Sequence, residues 1–200
     1  DVLPELYPIN VLMPAVLAAW ARSAGAYLIH ISGSLVCGSG AEFVSIQSPV
    51  SADTDYGRSK LLAEEAILAS GVASVILRFG GIFGALGPDH LGLNRAIRGA
   101  KSGKRPTITG NGLAKRNYIH VSDAAAAIEY CISNRLEGIH FCANHEVLSL
   151  SEIFQSLCDV YLPGSSPEIK AGNEARDQVI EPSLDLPATL LFRQALDSEV

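Results

Sequence analysis

The chain predicts an α/β fold: a doubly wound parallel sheet followed by a smaller mixed α/β part. Three observations carry this. Tyr27-Leu28-Ile29-His30-Ile31 and Ala73-Ser74-Val75-Ile76-Leu77-Arg78-Phe79 are short apolar runs of the kind found in strands buried on both faces. Between them, Tyr56 to Ser70 has helical composition and the length of a crossover. Each apolar run ends in small residues, Ser32-Gly33-Ser34 and Gly80-Gly81 with Gly84, at the strand edge where doubly wound sheets bind ligands.

In order, the chain opens in a loop and then a mostly apolar helix, Val11 to Trp20, with Pro14 tolerated in its first turn and Gly25 ending it. The polar stretch Ser39 to Asp55 reads as a loop before the Tyr56 helix, which Gly71 stops. Leu91 to Ala100 is a helix carrying Arg95 and Arg98 and closed by Gly103. Thr107-Ile108-Thr109 is a short strand and Gly110-Asn111-Gly112 a turn. Arg116 to Val121 reads as one strand, Ser122 as the N-cap of a helix from Asp123 to Ser133, and Gly138 to Ala143 as a strand. Ser149-Leu150-Ser151-Glu152 has the form of a capping box opening a helix from Ile153 to Tyr161. Residues 163–176 read as a loop, and no element is assigned from Asp177 onward.

Composition narrows the function. The chain is 200 residues long, 48% apolar and 18% charged, with a net charge of −6, which argues against a nucleic-acid surface. No apolar run approaches the roughly 20 residues that span a bilayer. The four cysteines have no C-x-x-C spacing and lie in apolar stretches, which predicts buried free thiols in a reducing, cytoplasmic setting. The five histidines are dispersed without metal-ligand spacing, so no metal site is expected.

The stretch with chemistry is Tyr56-Gly57-Arg58-Ser59-Lys60. At 3.6 residues per turn, Tyr56 and Lys60 share one helix face. A phenol with a reference pKa near 10 is a poor base at neutral pH. A neighbouring ammonium stabilises the phenolate and lowers that value, turning the tyrosine into a proton donor and acceptor. Taken alone, the same spacing also suits a surface tyrosine and a solvated lysine.

Five pieces then fall in order: Asn10 before a helix; Ile31-Ser32-Gly33-Ser34-Leu35-Val36-Cys37-Gly38; Tyr56-Gly57-Arg58-Ser59-Lys60; Leu77-Arg78-Phe79 with Gly84; and Arg116-Asn117-Tyr118-Ile119-His120-Val121. Together they resemble the extended short-chain dehydrogenase/reductase family, more closely its NAD-dependent epimerase/dehydratase branch acting on nucleotide sugars. The resemblance implies a Rossmann-like sheet, with residues 1–84 as the second half of the dinucleotide-binding domain. Residues 85–200 would be mainly substrate-binding, with 116–143 returning to the Rossmann sheet. It implies Tyr56 and Lys60 as catalytic and cofactor-binding residues, Asn10 and Phe79 near NAD or NADP, and Arg116 gripping the diphosphate of the sugar nucleotide. It also implies a homodimer paired through helices 11–20 and 60–70.

Three departures accompany the likeness. The family's glycine-rich G-x-x-G-x-x-G turn is not found in residues 1–30 and is expected upstream of Asp1, which reads as the start of a fragment. The family's serine or threonine beside the tyrosine falls on Gly33, with Ser34 the candidate for a displaced catalytic and substrate-binding hydroxyl. Finally, Cys37 and Gly81 replace a tyrosine and an asparagine on the substrate side. Epimerisation or simple oxidoreduction is favoured over dehydration, because the family's acidic pair is replaced by Ser34 and Leu35. The alternative is a non-catalytic member serving as a binding or regulatory module, which Gly33 favours.

Overall fold

A computed structural model describes residues 3–84, 86–88 and 91–199, with only the backbone of Leu3. The helices are α1 (Leu3–Tyr7), α2 (Met13–Ser23), α3 (Asp55–Ser70), α4 (Gly92–Lys101), α5 (Val121–Asn134), α6 (Leu150–Tyr161) and α7 (Phe192–Asp197). The strands are β1 (Leu28–Gly33), β2 (Phe43–Val44), β3 (Ser74–Phe79), β4 (Ile82–Phe83), β5 (Thr107–Thr109), β6 (Lys115–Arg116), β7 (Ile119–His120), β8 (Gly138–Cys142), β9 (Leu148–Ser149), β10 (Glu168–Lys170) and β11 (Val179–Ile180). They divide into two compact units. Unit 1 is Asp1–Gly80, Ala125–Cys142 and Ile180–Pro187; unit 2 is Gly81–Ala124, Ala143–Val179 and Ala188–Val200.

Unit 1 is built on a parallel sheet of order β1-β3-β8. Leu28 pairs with Ser74 at one end and Gly33 with Phe79 at the other, and Val75 to Phe79 pair with Gly138 to Cys142. All six residues of β3 are buried, as its unbroken apolar run requires of a central strand. Helix α3 begins where Thr54 caps it, accepting a hydrogen bond from the Gly57 N–H at 3.0 Å, and stops at Gly71 in the left-handed region. Ala18, Ala21, Ile67, Val72 and Ile76 form one core across α2, α3 and β3.

The first helical run differs from the expectation. It starts at Leu3 rather than after a loop, and a π-helical turn, Pro8–Leu12, separates α1 from α2. Pro8 and Pro14 have no N–H to give the i→i−4 ladder, and the wider turn falls between them. Residues 39–55 are mostly loop, as expected, but hold β2, where the Val44 carbonyl accepts from the Glu181 N–H at 2.8 Å.

Unit 2 is assembled from short pairs: β4 with β7 and β5 with β10 in parallel, β6 with β9 antiparallel. Its core gathers Phe83, Leu93, Ile97, Ala100, Ile153, Leu157, Phe192, Ala195 and Leu196. The capping box is present: Ser149 Oγ accepts from the Glu152 N–H at 3.2 Å, and Glu152 accepts from the Ser149 N–H at 2.8 Å. It starts α6 at Leu150, a turn earlier than expected.

Three further expectations are corrected here. Arg116 to Val121 does not form one strand: β6 and β7 are separate because they pair with different partners, β6 with β9 and β7 with β4. Helix α5 starts at Val121, so Ser122 lies inside its first turn. The cap role falls to His120, whose Nδ1 is 3.4 Å from the Ser122 N and 2.7 Å from its Oγ. The stretch read as loop over 163–176 contains β10, which forms because β5 supplies its hydrogen-bonding partners.

Candidate functional site

The tyrosine is placed by two backbone constraints. Gly57 packs so closely on the turn after β1 that a Cβ there would stand 2.6 Å from the Leu35 carbonyl oxygen. Only glycine permits that approach, and it sets the first turn of α3 against the C-terminal end of β1. The Tyr56 ring remains 44% exposed. A Cβ built on Gly33 would lie 4.0 Å from Tyr56 Cε1 and 3.8 Å from the Phe79 carbonyl oxygen, which is ordinary contact, so residue 33 faces the tyrosine ring directly and a small side chain fits there. Ser34 opens the 3-10 turn Ser34–Cys37, one residue beyond that position. Phe79 ends β3 with its ring buried. Asn10 lies in the π turn and donates from Nδ2 to Ser59 Oγ at 3.0 Å, and Ser59 Oγ donates to the Tyr56 carbonyl at 2.8 Å. Tyr56, Lys60, Asn10, Gly33 and Phe79 are thus brought to one end of unit 1.

The electrostatics differ from the expectation. Lys60 Nζ donates to the Ile31 carbonyl at 3.0 Å and lies 5.7 Å from the centre of the Tyr56 ring. The ammonium is over the ring rather than at its oxygen. Burial therefore decides both groups: the Tyr56 phenol is pushed up from its ordinary value and the Lys60 ammonium down, the latter opposed by the Glu64 carboxylate. In this arrangement Tyr56 is a held acid.

Beneath α3 lies a buried polar group that the sequence reading missed. Arg78 Nε and Nη2 donate to the two Glu64 carboxylate oxygens at 3.1 and 2.6 Å, Ser32 Oγ donates to Glu64, and the Arg78 guanidinium lies 5.4 Å from the Phe141 ring centre. The Ser32 hydroxyl is therefore committed to Glu64. The available signal was a charged residue inside a fully buried strand, which demands a partner.

His30, on the same strand face, is buried, and its Nε2 has no hydrogen-bond partner among the described residues. Burial pushes its imidazole down to about 4, aided by the Lys60 ammonium and opposed by Glu64. The unfolded chain therefore takes up this proton before the folded one does. The contribution of His30 to stability is present above about pH 6.5 and is lost as pH falls to about 4, on the order of 3 kcal/mol in all. Urea midpoints measured across that window should fall more steeply for wild type than for His30→Gln. Equal slopes would contradict this.

Arg116 and Gly81 belong to unit 2. The Arg116 Nη1 donates to the backbone carbonyls of Lys115 and Arg176 at 2.7 and 2.6 Å. Burial raises the Tyr118 phenol, and the Arg116 guanidinium opposes it. Unit 2 also carries a half-open cavity of about 310 Å³ lined by Arg95, Lys104, Arg105, Thr107, Tyr118 and Phe154 among others. Its three cations and two rings come from separate segments, which is why sequence reading did not assemble them.

Comparison with known proteins agrees with the α/β fold. The chain is similar to UDP-glucuronic acid 4-epimerase from Bacillus cereus solved with NAD: 19% identity, TM-score 0.81, covering 96% of this chain and 66% of that one. It is similar to dTDP-glucose 4,6-dehydratase from Bacillus anthracis, also solved with NAD, at 19% identity and TM-score 0.80 over 96% and 67% of the two chains. It is similar too to dTDP-4-dehydrorhamnose reductase from Yersinia enterocolitica, at 22% identity and TM-score 0.74 over 95% and 71%. The chain thus spans about two thirds of the length of these structures. No curated protein matches the sequence significantly. The profile of the NAD dependent epimerase/dehydratase family matches residues 4–142, and the chain belongs to that family.

Proposed function

We propose that this chain is the tyrosine-bearing part of an enzyme that carries out NAD-dependent oxidoreduction on a nucleotide sugar. The carrying observation is Tyr56, half-exposed at the C-terminal end of a parallel sheet, with Lys60 one turn away on the same helix and Gly33 facing its ring. In the epimerase from Bacillus cereus and the dehydratase from Bacillus anthracis, NAD is bound on a similar fold.

On this reading unit 1 is the second half of a dinucleotide-binding domain and unit 2 the substrate part. NAD, when bound, supplies the acceptor and donor of hydride. Tyr56 Oη takes the proton of a sugar hydroxyl as its carbon is oxidised and returns it on reduction. Lys60 stabilises the phenolate and hydrogen-bonds the cofactor ribose. Asn10, through Ser59, fixes the turn that carries Tyr56. Ser34 is the nearest serine to hydrogen-bond the sugar from the Gly33 side. Arg95, Lys104 and Arg105 on the cavity of unit 2 suit a diphosphate, a role the family likeness also gives Arg116, and the Tyr118 and Phe154 rings suit a base.

The test is to incubate the full-length protein with NAD and a panel of UDP- and dTDP-hexoses and follow sugar products and reduced nicotinamide. Turnover of at least one sugar is expected. Binding without any turnover would favour the second reading, a non-catalytic binding module, which the missing hydroxyl at Gly33 supports.

The exposed stripe Ile9, Leu12, Met13, Val16, Leu17 and Trp20 runs along the first helical run at helix spacing, and Leu62 and Leu68 are exposed on α3. A second copy of the chain pairing through these helices covers that stripe. A monomeric mass for the full-length protein in sedimentation would contradict this.

A further inference from the structure

Gly81 lies between β3 and β4, and its φ falls outside the left-handed region, so its backbone does not require glycine. Its surroundings do. A Cβ there would stand 2.5 Å from Tyr118 Cδ1 and 2.6 Å from Cε1, far inside contact distance for ring carbons. The backbone holds them: the Ile119 N–H donates to the Gly81 carbonyl at 3.0 Å, pinning the two segments together. The Tyr118 ring also lines the cavity that carries Arg95, Lys104 and Arg105. The loss of a side chain at 81 is therefore compensated by a ring that fills its place.

We infer that Gly81 and Tyr118 together form the specificity element of this cavity, the ring setting the width left for the base of a nucleoside diphosphate while the cations hold the phosphates. This rests on the nucleotide-sugar reading above. A methyl group at 81 has to push the ring by about 1 Å to reach normal carbon–carbon separation, and the cavity is the free space on offer. The base then loses its fit while the phosphate-binding cations stay in place.

The experiment is calorimetric titration of the full-length protein with UDP and, separately, with inorganic pyrophosphate. Gly81→Ala is expected to weaken UDP binding roughly tenfold or more, the scale of a misfitted methyl group, and to leave pyrophosphate affinity unchanged. Tyr118→Leu, which introduces no clash and guards against a folding failure of Gly81→Ala, should likewise weaken UDP alone. In the Tyr118→Leu background Gly81→Ala should have little further effect, the non-additivity of two residues in contact. UDP binding unaltered by Gly81→Ala, or UDP and pyrophosphate weakened alike, would overturn the inference and leave the nucleotide-sugar reading standing. Wild type that binds neither probe would overturn both.

Discussion

Tyr56→Phe in the full-length protein is expected to lower kcat by about 10²–10⁴-fold, the usual worth of a positioned general acid–base. The substitution removes one oxygen and keeps the ring. The packing that places residue 56 resides in Gly57 against the Leu35 carbonyl and in the Thr54 cap, so the fold and NAD affinity should be close to wild type. The magnitude depends on what else can hold the substrate hydroxyl. Residue 33 provides none, and a Cβ there meets only ordinary contacts. Gly33→Ser should therefore be accommodated and raise kcat, and this gain should vanish in the Tyr56→Phe background if the two hydroxyls serve one proton. Steady-state kinetics on the four combinations checks this. A Tyr56→Phe variant with wild-type kcat removes the proton-transfer role outright.

Glu64→Ala is expected to destabilise the protein by about 3–5 kcal/mol. The Arg78 and Glu64 side chains are only 6% and 2% exposed, so deleting the carboxylate leaves a guanidinium in the interior with no counter-charge. Its other described neighbour, the Phe141 ring, offers a weak attraction beside that cost. The loss is a large part of the 5–15 kcal/mol that holds an ordinary domain folded, and it should lower Tm by on the order of 10 °C in a protein of this size. Glu64→Gln keeps the shape and acceptor oxygen and should cost less. Thermal melts of the two variants test the ordering. If Glu64→Ala melts with wild type, the pair is not a structural requirement.

What could be read in advance was local. The apolar runs that became β1 and β3, the stop at Gly71 and the capping box at Ser149 and Glu152 are signals carried by neighbours in sequence, and each is found in the fold, although burial on both faces holds only for β3, since Ile31 of β1 is exposed. What escaped depended on distant partners. The orientation of Lys60 is set by the Ile31 carbonyl, 29 positions away, and it reverses the expected effect on the Tyr56 phenol. Strand β10 is exposed and has no apolar pattern; only pairing with β5 makes it a strand. The cationic cavity of unit 2 draws on α4, the segment after it, Tyr118 and Phe154, and no window of sequence contains them all. Gly81 read as the loss of a polar group, and the structure shows a ring in the place a side chain would take.

The central claim is that Tyr56 serves a hydride exchange between a sugar carbon and NAD. The most direct measurement uses the full-length protein with NAD and a nucleotide sugar deuterated at the carbon that bears the reacting hydroxyl, comparing wild type with Tyr56→Phe. The account predicts a slower reaction with the deuterated sugar in wild type, with label recovered in reduced nicotinamide when the reaction is quenched, and neither signal in the variant. Sugar conversion at the same rate with either isotope, and no label in the nicotinamide, would contradict it.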